Sequence, residues 1–224
     1  MLPHAYPQWP RVYWYGRPGR DSDDGQRRHD TLRAQVRQQA GRPKPPTAGG
    51  VESPSVKPTA LGGERGYETG KNVKGRTRHM LVDTRGLLLA VVVTAASVSD
   101  PAGARSLCAR LGGAWKTRRV LWVDGGYRGQ RVDWVSQQMR FVLRVTWRPE
   151  GAKGFVLLPR RWGVERTLAW LNQSRRLRKD EERLPKSSEA MMYLSMTRLR
   201  LRRLTAACTF QTASEGSTWA ISPA

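Results

Sequence analysis

The sequence predicts a mixed α/β domain that begins near residue 51. Two apolar segments, residues 78–82 and 87–95, flank a short turn sequence, which is the pattern of two neighbouring strands. After them the sequence predicts a helix, three further strands and two helices, and this combination is typical of a sheet with helices packed on it. We therefore expect one α/β domain over residues 51–207.

The first strands of this domain form a hairpin. A turn at residues 83–86 (DTRG) joins a strand over residues 78–82 to a second strand over residues 87–95. The second strand is apolar on both faces, which predicts a position inside the sheet rather than at its edge. Asp100 then suits the N-cap of a helix over residues 100–111, with proline at the first helical position.

The remaining elements follow from the same two patterns. Short apolar runs predict strands, and apolar residues at helical spacing predict helices. The predicted strands are residues 120–123, 141–145 and 155–158, and the predicted helices are residues 162–177 and 187–205.

Residues 1–50 contrast with the domain that follows. Four prolines and an aromatic cluster precede a polar stretch that has little to bury. A helix is predicted only over residues 30–40, and residues 42–50 have the composition of a linker. We predict a poorly structured, partly disordered connecting remnant over residues 1–50 and a disordered tail over residues 208–224.

Positive charge dominates the composition. Lysine and arginine number 40 against 18 acidic residues, which gives a net charge of +22, and 32 of the 40 are arginine. Self-repulsion of this size destabilises a compact protein unless a polyanion relieves it, and the planar guanidinium group pairs well with phosphate. The composition disfavours an enzyme for cationic substrates and a small secreted disulfide scaffold. It predicts a phosphate-rich partner.

Cysteine use and hydropathy indicate the compartment. Cys108 and Cys208 lack the spacing of a metal site or a disulfide framework, which fits a reducing environment. The longest strongly apolar run, residues 87–93, is far shorter than the roughly 20 residues of a membrane span. The first residues lack the features of a signal peptide. We therefore expect a cytoplasmic protein without a membrane partner.

Two acidic residues are candidates for chemistry. Asp124 ends an apolar strand and precedes two glycines, and the carboxyl ends of strands are where α/β sheets hold their sites. Glu165 lies near the start of a predicted helix, among arginines. Local sequence also allows plainer interpretations, in which Asp124 starts a turn and Glu165 pairs on the helix surface with Arg161.

Basic residues form two groups along the chain. Residues 71–78 are a glycine-interrupted basic run, and residues 160–179 interleave arginine with tryptophan. A solvated surface is the plainer interpretation, but the charge of the whole chain favours contact with nucleic-acid phosphates. The predicted DNA contacts are Lys71, Lys74, Arg76, Arg78, Arg128, Arg160, Arg161, Arg166, Arg175 and Arg176.

Several motifs resemble those of DDE-type transposases of small bacterial insertion elements, in the same order over about residues 50–204. The motifs are residues 52–57 (ESPSVK), 62–71 (GGERGYETGK), 74–86 (KGRTRHMLVDTRG), 122–129 (WVDGGYRG), 159–170 (PRRWGVERTLAW) and 175–182 (RRLRKDEE). The resemblance implies an RNase H-like fold, a mixed five-stranded sheet flanked by helices, in which three acidic residues bind divalent metal.

The resemblance also implies the site and the reaction. It assigns catalysis and metal binding to Glu52, Asp124 and Glu165, with two Mg²⁺ or Mn²⁺ ions. Hard cations of this kind prefer oxygen ligands, and two of them stabilise the attacking and leaving oxygens of an in-line displacement at phosphorus. The implied activity is cleavage and strand transfer of double-stranded DNA at element ends, by a homodimer on DNA in the cytoplasm at the nucleoid.

The chain departs from the family pattern at two places. Glu52 stands where the family normally carries Asp, one methylene further from the strand, and Pro54 is expected to interrupt that strand. The chain also starts within what resembles the connecting segment, so we expect the upstream helix-turn-helix-like region to be missing. Three hypotheses remain: a catalytically impaired transposase-like enzyme, a non-enzymatic basic relic that binds nucleic acid by charge, and a chain that does not fold stably.

Overall fold

The computed structural model describes residues 7–22, 24–60, 63–111, 119–124, 141–146, 151 and 161–215. These residues contain a seven-stranded mixed sheet with helices packed on it, which confirms the predicted fold class. The strands are β1 (Ala48–Glu52), β2 (Ser55–Val56), β3 (Gly66–Glu68), β4 (Val73–Asp83), β5 (Leu88–Ala95), β6 (Arg119–Asp124) and β7 (Phe141–Thr146). The helices are α1 (Trp9–Asp21), α2 (Asp24–Gln39), α3 (Asp100–Leu111), α4 (Trp162–Asn172) and α5 (Pro185–Glu215), with a 3-10 turn at Arg175–Leu177.

Five strands form the body of the sheet, in the order β5-β4-β1-β6-β7. β1, β6 and β7 run parallel to one another, whereas β4 is antiparallel to both of its long neighbours, β1 and β5. This arrangement is consistent with the RNase H-like sheet that the family resemblance implies. The short strands β2 and β3 pair with the first half of β4.

The core consists of two apolar layers, one on each face of the sheet. Successive residues of a strand point to opposite faces, so Leu81 of β4 packs in the layer with α3, whereas Met80 and Val82 pack in the layer with α4 and α5. The second hairpin strand, β5, is apolar on both faces because its residues are buried in both layers. Leu88 and Leu89 of β5 belong to different layers.

The β4–β5 turn lies where the sequence predicts it. The amide of Gly86 donates to the carbonyl of Asp83 at 2.9 Å, and Gly86 has a φ of 75°, which favours glycine. One carboxylate oxygen of Asp83 accepts the amides of Arg85 and Leu87 at 2.8 Å each. Arg37 of α2 donates to the other oxygen. Asp83 therefore closes the turn and fastens α2 to it.

The N-terminal segment is more structured than predicted. Residues 9–39 form α1 and α2, where the sequence predicts one helix over residues 30–40. α2 packs along α5 and buries His29, Val36 and Arg37. The apolar stripe of α2 is thin, as expected, and His29 adds to its contact with α5 by packing edge-on against Tyr193.

Arg200 of α5 connects three elements. Its side chain is fully buried and donates to the carbonyls of His29 in α2 and Leu88 in β5, at 2.7 Å each. Burial lowers the pKa of Arg200 to about 9. The arginine thereby ties α2, β5 and α5 together from within.

Near its start the α/β domain agrees with the prediction, and at its end it differs. Pro54 separates β1 from β2 as expected, although its carbonyl still accepts the Arg78 amide at 3.0 Å. α5 extends to Glu215, so residues 208–215 of the predicted tail are helical. The predicted strand at residues 155–158 and the tail beyond Glu215 lie outside the described residues. In the described part of the chain, no helix has the length and hydropathy needed to cross a membrane.

Candidate active site

Two of the three predicted carboxylate residues end neighbouring strands. Glu52 is the last residue of β1, and Asp124 is the last residue of β6. The two strands are parallel and their pairing extends to Gly50 and Trp122, so Glu52 and Asp124 each lie two residues beyond the last pair, at the same end of the sheet. The backbone thus places both at the carboxyl edge of the sheet. The side chain of Asp124 lies outside the described part of the structure.

α4 lies over the face of the sheet on which Glu52 stands. Gly50 shares that face, and a Cβ atom there would lie only 2.6 Å from Cγ2 of Val164. Arg161, immediately before α4, donates to the Glu52 carboxylate. The start of α4 and the end of β1 are therefore in direct contact.

Glu165 lies one helical turn after Arg161. Residues four apart share a face of a helix, so Glu165 is on the side of α4 from which Arg161 reaches Glu52. The Glu165 side chain is half-buried. Its carboxylate forms no hydrogen bond or ion pair with the part of the chain that the structure describes. The plainer interpretation, an Arg161–Glu165 surface pair, is wrong among these residues, because Arg161 pairs with Glu52.

The position of α4 is fixed by close contacts with the hairpin turn. A Cβ atom at Gly163 would lie 2.9 Å from the carbonyl oxygen of Asp83. The hydroxyl of Thr167 lies 2.6 Å from the carbonyl oxygen of Gly86 and 2.8 Å from that of Gly163. Glycine at both contact points permits this approach, so the helix that carries Glu165 cannot shift freely relative to the sheet.

The donor set fits a hard divalent cation in its chemistry. Glu52, Asp124 and Glu165 offer carboxylate oxygens only, which Mg²⁺ prefers. The side chains that the structure describes contain no cluster of three or more possible metal ligands, and the Asp124 side chain is not among them. A cation held by Glu52 would have to compete with the guanidinium group of Arg161.

Arg76, a predicted DNA contact, is fully buried. Its guanidinium group donates to the carbonyls of Glu64 at 2.8 Å and of Glu182 and Arg183 at 2.7 Å. It also forms an ion pair with Asp180 at 3.2 Å. All of these contacts are internal to the fold.

Arg78 is used in the same way. Its guanidinium group donates to the carbonyl of Leu177 at 2.6 Å and to that of Lys179 at 3.3 Å, and burial lowers its pKa. The structure therefore corrects the prediction that Arg76 and Arg78 contact DNA. Both fasten residues 177–183 to β4. The continuous burial of β4 from Gly75 to Asp83 explains the error, because a basic run cannot by itself be distinguished from a buried strand that carries arginines.

The other predicted DNA contacts have different surroundings. Lys71 pairs with Glu68 at 3.0 Å and donates to the carbonyl of Ser53 at 2.9 Å. Arg176 pairs with Glu182 at 2.6 Å. The remaining residues are Lys74 and Arg175, which are exposed, Arg166, which is half-buried, Arg161 in its pair with Glu52, and Arg128 and Arg160, which lie outside the described residues.

Comparison with known proteins agrees with this arrangement. A family model described as "Transposase DDE domain" matches residues 43–200, more than half of the chain. The matched segment includes Glu52, Asp124 and Glu165. A comparison with curated proteins found no match.

Proposed function

Because the chain belongs to the transposase DDE domain family, we propose that it cleaves and joins DNA phosphodiesters at the ends of an insertion element. The observation that supports the proposal is that Glu52 and Asp124 end neighbouring parallel strands at the same edge of the sheet, and that the start of the Glu165 helix contacts Glu52 through Arg161. The carboxyl edge of an α/β sheet is where such sites are usually built.

In this proposal the three carboxylates bind divalent metal. When bound, two Mg²⁺ or Mn²⁺ ions supply the Lewis acidity that in-line displacement at phosphorus requires. The half-buried Glu165 supports this role, because a carboxylate with no partner among the described residues is available to a cation in a chain of net charge +22. Glu52, Asp124 and Glu165 gather negative charge at one point of an otherwise basic protein.

Arg161 forms an ion pair with Glu52, one of the three proposed metal ligands. Its guanidinium group holds the Glu52 carboxylate at the end of β1, where the pair is largely shielded, with side-chain exposures of 9% and 19%. A cation that uses Glu52 displaces this contact or shares the carboxylate with it. In this proposal the guanidinium group of Arg161 then turns toward a phosphate of the bound DNA.

Double-stranded DNA is the proposed partner, bound through its phosphates by exposed basic residues. Lys74 and Arg175 are exposed, and Arg166 follows Glu165 directly in α4. The surplus of positive charge supplies the long-range attraction. The proposal includes a homodimer on DNA and a location at the nucleoid.

A second candidate function is sequence-independent DNA binding without catalysis. The specific observation that favours it is the Glu52–Arg161 pair, since a carboxylate already neutralised by arginine is a weaker metal ligand. This alternative predicts DNA binding with a steep salt dependence and no effect of metal.

The deciding experiment uses the full chain and labelled duplexes taken from the DNA that flanks its coding sequence. We expect nicking that requires Mg²⁺ or Mn²⁺, that EDTA abolishes, and that Asp124→Ala removes. Glu181→Gln is the matched control, because Glu181 is an exposed acidic residue outside the site.

Metal binding is measured in parallel. We expect Mn²⁺ to raise the Tm of the wild-type protein and of Glu181→Gln, and to leave that of Asp124→Ala unchanged. Nicking that survives Asp124→Ala would overturn the site assignment. DNA binding without nicking and without a metal-dependent Tm would favour the second function.

A further inference from the structure

A groove of about 210 Å³ lies between the end of α4 and the middle of α5. Trp170 and Ser174 line it from the α4 side. Ser195, Arg198 and Arg202 line it from α5, and the two serine hydroxyls lie 2.7 Å apart. The groove is separate from the carboxylates of the candidate active site but shares α4 with them.

Arg198 and Arg202 line the groove itself, and further arginines lie close to Trp170, one of its lining residues. Cζ of Arg203 lies 4.3 Å from the centre of the Trp170 ring, and Cζ of Arg166 lies 5.2 Å from it. A guanidinium group at such a distance from tryptophan is held by a cation–π contact, which leaves its N–H groups available to other partners. Arg85, in the β4–β5 turn, adds to the positive potential at Arg203.

The groove arginines have no counter-charge within the described chain. None of Arg85, Arg166, Arg198, Arg202 and Arg203 forms an ion pair or a hydrogen bond through its guanidinium group with a residue that the structure describes. Nε of Arg166 is buried and has no hydrogen-bond partner. Like charges held together in this way repel one another unless an anion neutralises them.

The buried arginines elsewhere in the fold are different. Arg37 donates to Asp83, Arg76 pairs with Asp180, and Arg200 donates to two carbonyls. Each of them has a structural acceptor. Asp83 also lies near Arg203, but it is buried and already accepts from Arg37 and from two amides. The groove arginines are therefore not explained by contacts that stabilise the fold.

We infer that the α4–α5 groove binds the phosphate backbone of DNA. Arginine is the side chain best suited to phosphate, and Ser174 and Ser195 supply further donors. The groove and the candidate site share α4, which carries Glu165 in its first turn and Trp170 near its end. We therefore expect DNA bound in the groove to extend along α4 toward the site. This inference rests on the proposed function for the identity of the nucleic acid.

The test measures binding of a short fluorescein-labelled duplex to the full chain by fluorescence anisotropy, in EDTA and at several salt concentrations. The groove variant is Arg198→Gln with Arg202→Gln, since both side chains are exposed and carry no contact of the fold. The control is Arg11→Gln with Arg42→Gln, which removes the same charge from exposed arginines near α1 and after α2.

We expect the groove variant to lower the slope of log K against log salt by nearly 2, at about 0.9 for each lost phosphate contact. At about 0.1 M salt this corresponds to a loss of affinity on the order of ten- to a hundredfold. The control variant is expected to bind within about threefold of the wild type, because it changes only the net charge. Arg85→Gln, at a third exposed position, is expected to reduce the slope by about 1.

Equal losses for the groove and control variants would overturn the inference. So would a groove variant that loses affinity for polyglutamate but not for DNA, since the groove would then suit an acidic protein. The nicking assay separates the two proposals. If the wild type nicks DNA and the groove variant binds DNA as tightly as the wild type, the groove inference is wrong and the proposed activity stands. If DNA binding depends on the groove arginines but the wild type does not nick DNA, the groove inference stands and the proposed catalytic function is wrong.

Discussion

Arg161, the residue before α4, donates a hydrogen bond to the carboxylate of Glu52 at the end of β1. The contact joins residues 109 positions apart in the chain, and it links the first strand of the matched family domain to the helix of Glu165. One ion pair thus connects the architecture of the sheet with the chemistry proposed for its edge.

Removing the charge of Glu52 is expected to destabilise the protein. Glu52→Gln leaves the largely buried guanidinium group of Arg161 without this carboxylate, so we expect the free energy of unfolding to fall by about 1–3 kcal/mol. Urea denaturation measures the loss. In the double variant Glu52→Gln with Arg161→Gln the two losses are expected to be less than additive, and full additivity would show that the pair does not couple β1 to α4.

Shortening Glu52 is expected to increase nicking. Glu52→Asp restores the carboxylate position typical of the family and draws it away from Arg161, so both changes favour metal binding. We expect a gain of up to about a hundredfold in the rate of Mg²⁺-dependent nicking, the factor that a misplacement near 1 Å can cost. Glu181→Asp is the control at an exposed position. An unchanged rate would show that Glu52 is not what limits the site.

Replacement of Asp83, the acidic residue of the hairpin turn, is expected to lower the free energy of unfolding strongly. Asp83→Asn removes the charged partner of the buried Arg37, and we expect a loss of about 3–5 kcal/mol in the free energy of unfolding. The matched control is Asp30→Asn, since Asp30 pairs with Arg33 in α2 but is 38% exposed, and it should cost no more than about 1 kcal/mol. Similar losses for both variants would contradict the role of Asp83 in closing the turn.

Acid is expected to loosen the contact between α2 and α5. His29 is fully buried, Nδ1 lies 3.5 Å from the Asp30 carboxylate, and burial lowers the pKa of His29 to about 4. The unfolded chain, with a pKa near 6.5, binds a proton that the folded chain excludes between these values. The contribution of His29 to stability is therefore complete above about pH 6.5 and falls by about 3 kcal/mol as the pH drops to 4.

The measurement is the free energy of unfolding against pH for the wild type and His29→Gln. His79, whose pKa is also lowered to about 4 by burial, retains its own contribution, so the dependence between pH 6.5 and 4 should be about halved rather than lost. A variant that keeps the full dependence would contradict the assignment to His29.

Much of the α/β domain could be predicted from the sequence, because its signals are local. The helix at residues 100–111 follows from Asp100 and Pro101, and its observed bounds are the same. The hairpin follows from its turn sequence. α1 could not be predicted, because its prolines and polar residues oppose the helical pattern and its contacts with α2 and α5 are not visible in the sequence.

Part of the candidate site could also be predicted, because some of its signals are local in the sequence. The positions of Asp124 and Glu165 at element ends follow from local pattern and family resemblance. The register that brings the ends of β1 and β6, with Glu52 and Asp124, to the same edge depends on the pairing of strands far apart in the chain. The pairing of Arg161 with Glu52, rather than with Glu165 one turn away, depends on the packing of α4 over Gly50. Such long-range geometry leaves no trace in nearby residues.

The two hydrogen bonds of Arg200 also limit when α2 can pack in its final position during synthesis. Arg200 donates to the carbonyl of His29, which precedes it by 171 residues, and to that of Leu88. At roughly 5–20 residues per second, a ribosome needs about 9–34 s to progress from His29 to Arg200. Throughout that interval the inner side of α2 has no α5 to cover it. The basic segments at residues 71–78 and 160–179 are synthesised during this period, before α5 can complete the fold, and are then accessible to a polyanion.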